Sequence, residues 1–342
     1  MKVAMYYANN NVRIQEQDVP VIGPGEILMK VHASGICGSD VMEWYRRDKV
    51  PLVLGHEVAG EVVEVGEGVS KFAVGDRIAA SHHVPCFSCR HCHRGHPTAC
   101  DTIRSTTFHP GGFAQYVRLP KINVDLGTYA LPEKLSYAEG SFAEPLACVL
   151  RGQEKIGIEA GMNVLVIGAG VSGIMHIELA RALGAGTIVA TDLSPYRLEQ
   201  AERFGADATF TPDEYSPEKF REVCAGRLAD RVILTAGAIP AIQQGLDSAE
   251  RGATVLVFAP TDEGVRFPFD MNKFFWREDR TLTTTYAGEP ADHVHALDLI
   301  AAGRFRAAQM ITHRLPLDEI QQGFDLVAGG TECLKVVIEP HA

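Results

Sequence analysis

The chain lacks any apolar run that approaches the roughly 20 residues needed to cross a bilayer, and its start, Met1 to Tyr7, has no signal-peptide pattern. Without an export signal, paired disulfides are not expected, and clustered cysteines are instead expected to bind metal. These absences predict a cytoplasmic protein that has no membrane partner.

Positive charge is also scarce. The 32 Lys and Arg residues are outnumbered by 43 Asp and Glu residues, which gives a formal net charge of -11. General nucleic-acid binding needs a basic footprint, so this balance argues against it. The 342 residues, of which 46% are hydrophobic, suffice for a large buried core and indicate two domains.

Cysteine is rare, but it is clustered. Half of the eight cysteines lie within fifteen residues, with the spacing C-x2-C-x2-C-x7-C, and they are Cys86, Cys89, Cys92 and Cys100. Four thiolates from one short loop suit a tetrahedral Zn²⁺ site, whereas the common bacterial iron–sulfur pattern ends in a shorter gap of about three residues. Four protein ligands leave no open position for a substrate, so a zinc ion here is predicted to be structural.

The pattern of the sequence changes near residue 160. Residues 1 to about 150 read as mostly β, as at Glu26 to Val31 and Gly60 to Gly66, and Ser136 to Glu139 fits a helix capping box. Later, apolar runs alternate with helical stretches, which predicts βαβ units on a parallel sheet. The predicted strands are Asn163 to Ile167, Thr187 to Thr191, Arg231 to Leu234, Ala253 to Phe258 and Met310 to His313, and the predicted helices include Val171 to Leu183 and Pro195 to Phe204.

A glycine motif follows the first of these later strands. The segment Gly168-Ala169-Gly170-Val171-Ser172-Gly173 is G-x-G-x-x-G at a predicted helix start. The three glycines permit a tight turn, the close approach of a pyrophosphate and the packing of helix on strand. The helix N-terminus also offers free N–H groups to phosphates. We therefore expect the chain to bind a dinucleotide at Gly168, Gly170, Val171 and Gly173.

Asp192 ends the next strand, 19 residues after Gly173. A carboxylate there accepts hydrogen bonds from ribose hydroxyls and repels a 2′-phosphate, which favours NAD over NADP. Arg197 is an opposing signal because it could pair with a phosphate, although a solvated residue in the first turn of a helix is the simpler interpretation. The alternative for the whole motif is an ordinary strand–turn–helix corner.

Candidate ligands for a second metal ion are spread along the sequence. Cys37, His56 and Glu144 could supply the three protein ligands of a catalytic zinc. Spacing alone leaves another interpretation open, since a lone cysteine is often a buried core residue and a lone histidine before a glutamate is often at the surface.

The chain resembles the zinc-dependent medium-chain dehydrogenase/reductase family, close to its sorbitol (polyol) dehydrogenase branch. Gly55-His56-Glu57-Val58-Ala59-Gly60 with Gly66 and Val69 matches the family's zinc signature. The four-cysteine lobe, the Glu144-Pro145-Leu146-Ala147 segment and the glycine motif occur in the family's order. The resemblance implies a GroES-like β-barrel catalytic domain, residues 1–150 and 290–342 with a zinc lobe at about 85–101, and a Rossmann NAD-binding domain with a doubly wound parallel sheet, residues 151–289.

The resemblance also implies a role for each site residue. Cys37 and His56 are expected to bind a catalytic zinc, and Glu144 to hold it directly or through its water. Glu57 is expected to be a nearby carboxylate that ligates transiently, and Ser39 to be the proton-relay hydroxyl. A second, structural zinc is expected in the lobe of Cys86, Cys89, Cys92 and Cys100.

Two positions depart from the family pattern. Met42 stands where many members carry a relay histidine, and Tyr286 stands where polyol dehydrogenases carry an arginine near the substrate. Trp44, Tyr45 and Phe108 could line a substrate cleft or simply pack as core aromatics. The exit path of the proton and the identity of the substrate therefore stay open.

The function implied is a zinc- and NAD-dependent oxidoreductase that interconverts a secondary alcohol or polyol and its ketone by hydride transfer. A threonine-type amino-alcohol dehydrogenase is one alternative, which Met42 weakens because that branch usually keeps the histidine. A zinc-ribbon binding module and a catalytically silent nucleotide-binding protein are the non-enzyme alternatives. The resemblance implies a small-molecule substrate and a homodimer or homotetramer.

Overall fold

The structure is a computed structural model that describes residues 1–330 and 332–342. It divides into two units, of which the first comprises Met1–Cys148 and Ala287–Ala342 and the second comprises Val149–Tyr286. The second unit is thus an insertion into the sequence of the first. Over the residues described, no helix has the length and apolar character needed to cross a membrane.

Strands occur in both units. They are β1 (Lys2–Ala8), β2 (Asn11–Glu16), β3 (Ile27–Gly35), β4 (Leu52–Val53), β5 (Glu57–Val65), β6 (Arg77–Ser81), β7 (Tyr116–Leu119), β8 (Thr128–Ala130), β9 (Val164–Ile167), β10 (Ile188–Thr191), β11 (Ala208–Phe210), β12 (Ala229–Leu234), β13 (Ala249–Val257), β14 (Thr281–Thr284), β15 (Ile311–Pro316) and β16 (Lys335–Glu339).

Helices connect many of these strands. The α-helices are Glu43–Arg46, Arg90–His93, Asp101–Ser105, Lys121–Leu126, Tyr137–Gly140, Ala143–Ile156, Val171–Ala182, Pro195–Arg203, Pro217–Val223, Ile239–Asp247, Met271–Phe275, Pro290–Ala301, Ala307–Met310 and Ile320–Gly329. Short 3₁₀ turns span Gly38–Val41, Pro97–Ala99 and Leu317–Glu319.

The first unit is mainly β, as predicted. Among the described residues, its larger sheet has seven strands in the order β15-β16-β3-β5-β6-β8, with β7 paired to β3, and a second sheet has the order β2-β1-β4. All pairs are antiparallel except β15 with β16. Aromatic side chains fill the core, where the Phe324 ring lies 5.6 Å from that of Tyr6 and 5.9 Å from that of Phe113.

The second unit contains one parallel sheet over the residues described, with the order β11-β10-β9-β12-β13-β14. This is the order of a doubly wound Rossmann fold, in which the direction of winding reverses next to the first strand. Every residue of β9 and β10 is buried, because the strands of a parallel sheet are covered on both faces. The predicted alternation of strands and helices is therefore confirmed, with ends shifted by a few residues.

A capping box starts the helical segment that leads toward the carboxylate Glu144. The Ser136 hydroxyl accepts a hydrogen bond from the Glu139 N–H at 3.2 Å, and the Ser136 N–H donates to the Glu139 carboxylate at 2.9 Å. The prediction of this motif from sequence is confirmed. The helix Tyr137–Gly140 follows, and the next helix, Ala143–Ile156, carries Glu144 in its first turn.

Candidate metal and dinucleotide sites

The pairing of β3 with β5 brings Cys37, His56 and Glu57 together. Gly35, near the end of β3, pairs with Glu57 at the start of β5, so the residues just beyond each strand end lie side by side. One potential ligand atom from each of Cys37, His56 and Glu57 lies within 4.8 Å of the other two. A thiolate, an imidazole and a carboxylate at this spacing fit the donor set of a zinc ion.

Gly55 makes the turn that presents His56. Its φ of +91° is in the left-handed region, and a Cβ atom there would lie 2.7 Å from the backbone nitrogen of Phe113. A side chain at this position is therefore excluded both by backbone conformation and by contact. This explains why glycine precedes His56 in the motif.

Asp40 orients His56. The buried Asp40 Oδ1 lies 3.4 Å from His56 Nδ1, and Asp40 Oδ2 accepts a hydrogen bond from the Cys37 N–H at 3.0 Å. Burial disfavours a charged imidazole, but the Asp40 carboxylate and the Cys37 side chain together outweigh it, and the pKa of His56 is raised well above its usual value. With Nδ1 held by a carboxylate, Nε2 is left to bind a metal, an arrangement common among metal-bound histidines. Sequence reasoning missed Asp40, although it lies only three residues after Cys37.

Glu57 and Lys335 form a buried ion pair. Their side chains are 0% and 1% exposed, and the Lys335 ammonium contacts Glu57 Oε2 and donates to the Ile36 carbonyl at 3.2 Å. Burial lowers the pKa of Lys335, but the Glu57, Cys37 and Glu144 side chains together outweigh it, and the pKa is raised overall. Gly35 makes room for the pair, since a Cβ there would lie 2.0 Å from Glu57 Oε2. A lysine within the apolar run of β16 is the sequence signal that could have revealed it.

Glu144 lies near this group but outside the set of atoms within 4.8 Å of one another. Its side chain is buried, and burial raises its pKa to about 7, with His56 lowering it and Glu57 raising it. The thiol of Cys148, one helical turn later, is 3.7 Å from Glu144 Oε1. A carboxyl group with this pKa can change its protonation near neutral pH.

The five histidines in and just before the cysteine lobe divide into two groups. His91, His93 and His96 lie within the lobe and are exposed. His82 and His83 are half-buried, and their ring centroids are 3.7 Å apart. The His82 ring lies 4.8 Å from that of His56. His82 and His83 follow β6, which pairs with β5, so sheet register rather than local sequence brings them to the metal-ligand cluster. Burial lowers the pKa of His82 well below its usual value.

The four clustered cysteines converge on one point. Cys89 Sγ lies 3.6 Å from Cys92 Sγ, Cys86 Sγ lies 3.5 Å from Cys100 Sγ, and all four sulfur atoms fall within 4.8 Å of one another. The corners of a tetrahedron around zinc, with Zn–S bonds of about 2.3 Å, lie about 3.8 Å apart. All four cysteines are free thiols, so the lobe fits a closed zinc site.

The glycine motif has the backbone that a dinucleotide loop needs. Gly168 has a φ of +96°, and a Cβ on Gly173 would lie 1.9 Å from the Gly168 carbonyl oxygen. The helix Val171–Ala182 starts within the motif, with Gly170 as its N-cap. Its first N–H groups are therefore available to phosphate oxygens.

Asp192 lies against the glycine motif. Its Oδ2 accepts a hydrogen bond from the Ala169 N–H at 2.7 Å, and its Oδ1 accepts one from the Ser194 N–H at 2.9 Å. Arg197 Nη1 is 3.9 Å from Asp192 Oδ2. Arg197 is therefore partly engaged by Asp192 and is not simply a solvated side chain.

The remaining candidate residues named from the sequence differ in their exposure to solvent. Ser39, Met42 and Trp44 are half-buried, Phe108 is buried, and Tyr45 and Tyr286 are exposed. The Phe108 ring meets the edge of the His82 ring at 6.2 Å. Phe108 therefore packs beside the metal-ligand cluster of the first unit.

Comparisons with known proteins agree with this geometry. A family model described as "Alcohol dehydrogenase GroES-like domain" matches residues 23–126, and one described as "Zinc-binding dehydrogenase" matches residues 172–302. Sorbitol dehydrogenase of Bacillus subtilis is 30% identical over 353 residues, covering 100% of this chain and 98% of that protein.

Two further relatives bear on substrate and cofactor. L-threonine 3-dehydrogenase of Sinorhizobium medicae is 31% identical, covering 94% of this chain and 93% of the relative. The crystal structure of a zinc-binding dehydrogenase from Sinorhizobium meliloti bound to NADP has a TM-score of 0.87 and 30% sequence identity, and the match covers 99% of each chain.

Proposed function

The chain belongs to the zinc-dependent medium-chain alcohol and polyol dehydrogenase family, and from that premise we propose how this oxidoreductase acting on CH–OH groups binds its metals, cofactor and substrate. The proposed reaction is the NAD-linked interconversion of a secondary alcohol or polyol and its ketone. The observation that carries the proposal is the convergence of Cys37 and His56, with Asp40 behind the imidazole and the buried Glu144 carboxylate near His56.

Two zinc ions per chain are proposed. Cys37 and His56 bind the catalytic ion, with Glu144 as the third ligand, directly or through water, because Glu57 is already neutralised by Lys335. Cys86, Cys89, Cys92 and Cys100 hold the structural ion. When bound, the catalytic zinc would supply a Lewis acid for the substrate oxygen, and a bound nicotinamide would supply the hydride acceptor.

The proton steps fall to side chains of the first unit. Ser39 is proposed as the first acceptor of the alcohol proton, since a hydroxyl donates and accepts at once, and the half-buried Ser39 lies two residues from Cys37. Glu144 is proposed to take part as an ionised carboxylate that holds the catalytic metal directly or through its water, because metal-ligating carboxyl groups must be deprotonated. Met42 offers no relay group, so the proton path differs from that of relatives with histidine there.

NAD is the proposed cofactor. The Asp192 carboxylate is fixed beside the glycine motif by the Ala169 N–H, where a negative charge repels the 2′-phosphate of NADP. Arg197 lies 3.9 Å from that carboxylate, so much of its positive charge is offset. We also propose a cytoplasmic location, because the four-thiol lobe needs a reducing compartment and all eight cysteines are free thiols.

A homodimer or homotetramer is proposed as the working assembly. The helix Met271–Phe275 and its neighbour Trp276 present apolar side chains to solvent, and Trp276 is 72% exposed. Exposed apolar surface of this kind is typical of protein–protein contacts. Light scattering coupled to size-exclusion chromatography measures the state directly, and a monomer at micromolar concentration would contradict it.

The test is a screen of NAD⁺ reduction over polyols, vicinal diols, simple secondary alcohols and L-threonine, with NADP⁺ as the parallel cofactor. We expect polyols or vicinal diols with NAD⁺ to give the highest kcat/KM. Activity confined to L-threonine would support the amino-alcohol alternative, for which relatives exist at 31% identity. Zinc analysis accompanies the screen, with two ions per chain expected, and Cys37→Ser should lose one of them.

A further inference from the structure

Arg46 lies behind the ligands proposed for the catalytic metal. Its Nε and Nη2 donate to the Ser39 carbonyl at 3.3 and 3.2 Å, and its Nη2 lies 3.7 Å from Asp40 Oδ1. The same Asp40 oxygen lies 3.4 Å from His56 Nδ1. We infer that Arg46 is a positioning residue that holds the Ser39–Asp40 turn and thereby fixes His56 for metal binding.

Charge explains why a cation is needed at this point. The Asp40 side chain is 0% exposed and that of Arg46 is only 13% exposed. A buried carboxylate without a partner is strongly destabilising. The imidazole that binds a metal must be neutral, so His56 cannot supply the positive charge once a metal is bound. Arg46 supplies it and leaves the His56 ring free to act as a neutral ligand.

Shape explains why that cation is arginine. A guanidinium presents several N–H groups in a fixed fork, whereas an ammonium is a compact point charge on a flexible stem. The fork lets Arg46 reach the Ser39 carbonyl and the Asp40 carboxylate together. The guanidinium also lies over the Tyr45 ring at 4.6 Å, which limits its motion. Lysine at this position would keep the charge but could not contact the Ser39 carbonyl and the Asp40 carboxylate together.

The inference rests on the proposed role of His56 as a catalytic metal ligand, and the experiment separates the two. Arg46→Met is compared with Arg47→Met, a matched loss of charge at the next residue, whose side chain is exposed. For each protein, the zinc retained is measured against a competing chelator, and the visible absorption of the Co²⁺-substituted protein reports ligand geometry. Both readouts are independent of substrate.

We expect Arg46→Met to weaken zinc binding at the catalytic site about 10- to 100-fold, as is typical for loss of a partner behind a metal ligand. The structural zinc should stay bound and the Co²⁺ spectrum should change. Arg46→Lys should recover part of the affinity, and Arg47→Met should match the parent. Equal zinc retention and equal spectra for Arg46→Met and Arg47→Met would overturn the inference.

A double-mutant cycle with Asp40→Asn tests whether Arg46 acts through Asp40. We expect the second substitution to add little once the first is present, because both break the same chain of contacts. Fully additive losses of zinc affinity would overturn the proposed route. If Arg46→Met fails to fold by circular dichroism, Arg46→Gln keeps a donor for Ser39 and serves in its place. If Arg46→Met loses zinc but the parent protein oxidises no alcohol, this inference is supported and the proposed function is rejected.

Discussion

Lys335 and Glu57 are paired in the interior of the first unit, where neither side chain reaches solvent. The two residues lie 278 positions apart in the sequence and meet because β16 and β5 both pair with β3. The Lys335 ammonium thus neutralises the Glu57 carboxylate beside the ligands proposed for the catalytic metal. It also means that Glu57 must leave Lys335 before it can ligate a metal directly.

Removing Lys335 should destabilise the protein. Lys335→Met leaves the Glu57 carboxylate buried without a cation, and breaking a buried pair on one side costs about 3 to 5 kcal/mol. Urea unfolding followed by far-UV circular dichroism measures the loss. The double variant Lys335→Met/Glu57→Gln should regain most of it, because no uncompensated charge remains. A single variant as stable as the parent would show that water or another group compensates Glu57.

Loss of one thiol from the four-cysteine lobe should affect folding before chemistry. Cys92→Ser removes one corner of the proposed tetrahedron, so zinc content should fall by one ion per chain and the thermal midpoint should drop. The kcat of the fraction that stays folded should be within about threefold of the parent, because the lobe leaves no open metal position for substrate. Zinc analysis and calorimetry are the measurements.

The control for that variant is Cys224→Ser. Cys224 is buried in the second unit and belongs to neither group of candidate metal ligands, so zinc content should be unchanged. A stable Cys92→Ser protein that retains both zincs, or one that loses hydride transfer alone, would contradict the structural role of the lobe.

His176 should make the second unit sensitive to acid. It is fully buried, its Nδ1 lies 3.2 Å from the amide nitrogen of Gln153, and burial lowers its pKa to about 3. The unfolded chain takes up a proton near pH 6.5, so the folded state binds fewer protons between pH 6.5 and 3. Above pH 6.5 the neutral, buried His176 does not lower stability. As the pH falls below 6.5, the free energy of unfolding decreases, by about 2 kcal/mol at pH 5.

His176→Gln removes that titration. The free energy of unfolding, measured by urea titration at several pH values, should therefore fall less steeply from pH 7 to pH 5 than in the parent. His295→Gln, at an exposed position, should keep the parent's slope. Identical slopes for parent and His176→Gln would show that His176 does not control the acid response.

Cofactor preference should depend on Asp192. Asp192→Asn removes the charge that repels a 2′-phosphate and leaves Arg197 free to pair with it, so the ratio of kcat/KM for NADP⁺ to that for NAD⁺ should rise about 10- to 100-fold, equivalent to about 1.4 to 2.7 kcal/mol. Steady-state kinetics with both cofactors give the ratio. Asp213→Asn, at an exposed position of the same unit, should leave it unchanged. No change in Asp192→Asn would indicate that other residues set the preference.

Local patterns were sufficient to predict much of this protein. The glycine motif, the capping box at Ser136 and the buried strands β9 and β10 depend on contacts between near neighbours in sequence. Turn geometry, helix capping and burial of apolar runs act over a few residues, so they leave a readable signal. The cysteine lobe is equally local, since its four thiols come from one loop.

Only the tertiary structure showed which distant groups surround the candidate ligands. The register between β3, β5, β6 and β16 brings Lys335 to Glu57 and His82 to His56. The turn after Cys37 places Asp40 between Arg46 and His56. No short-range sequence pattern encodes these contacts. Some of them join residues on different elements, and the others depend on the direction in which a side chain points. The sequence thus determined the types of chemical group available, whereas strand pairing decided which of them share a buried environment, and burial decides their charges and pKa values.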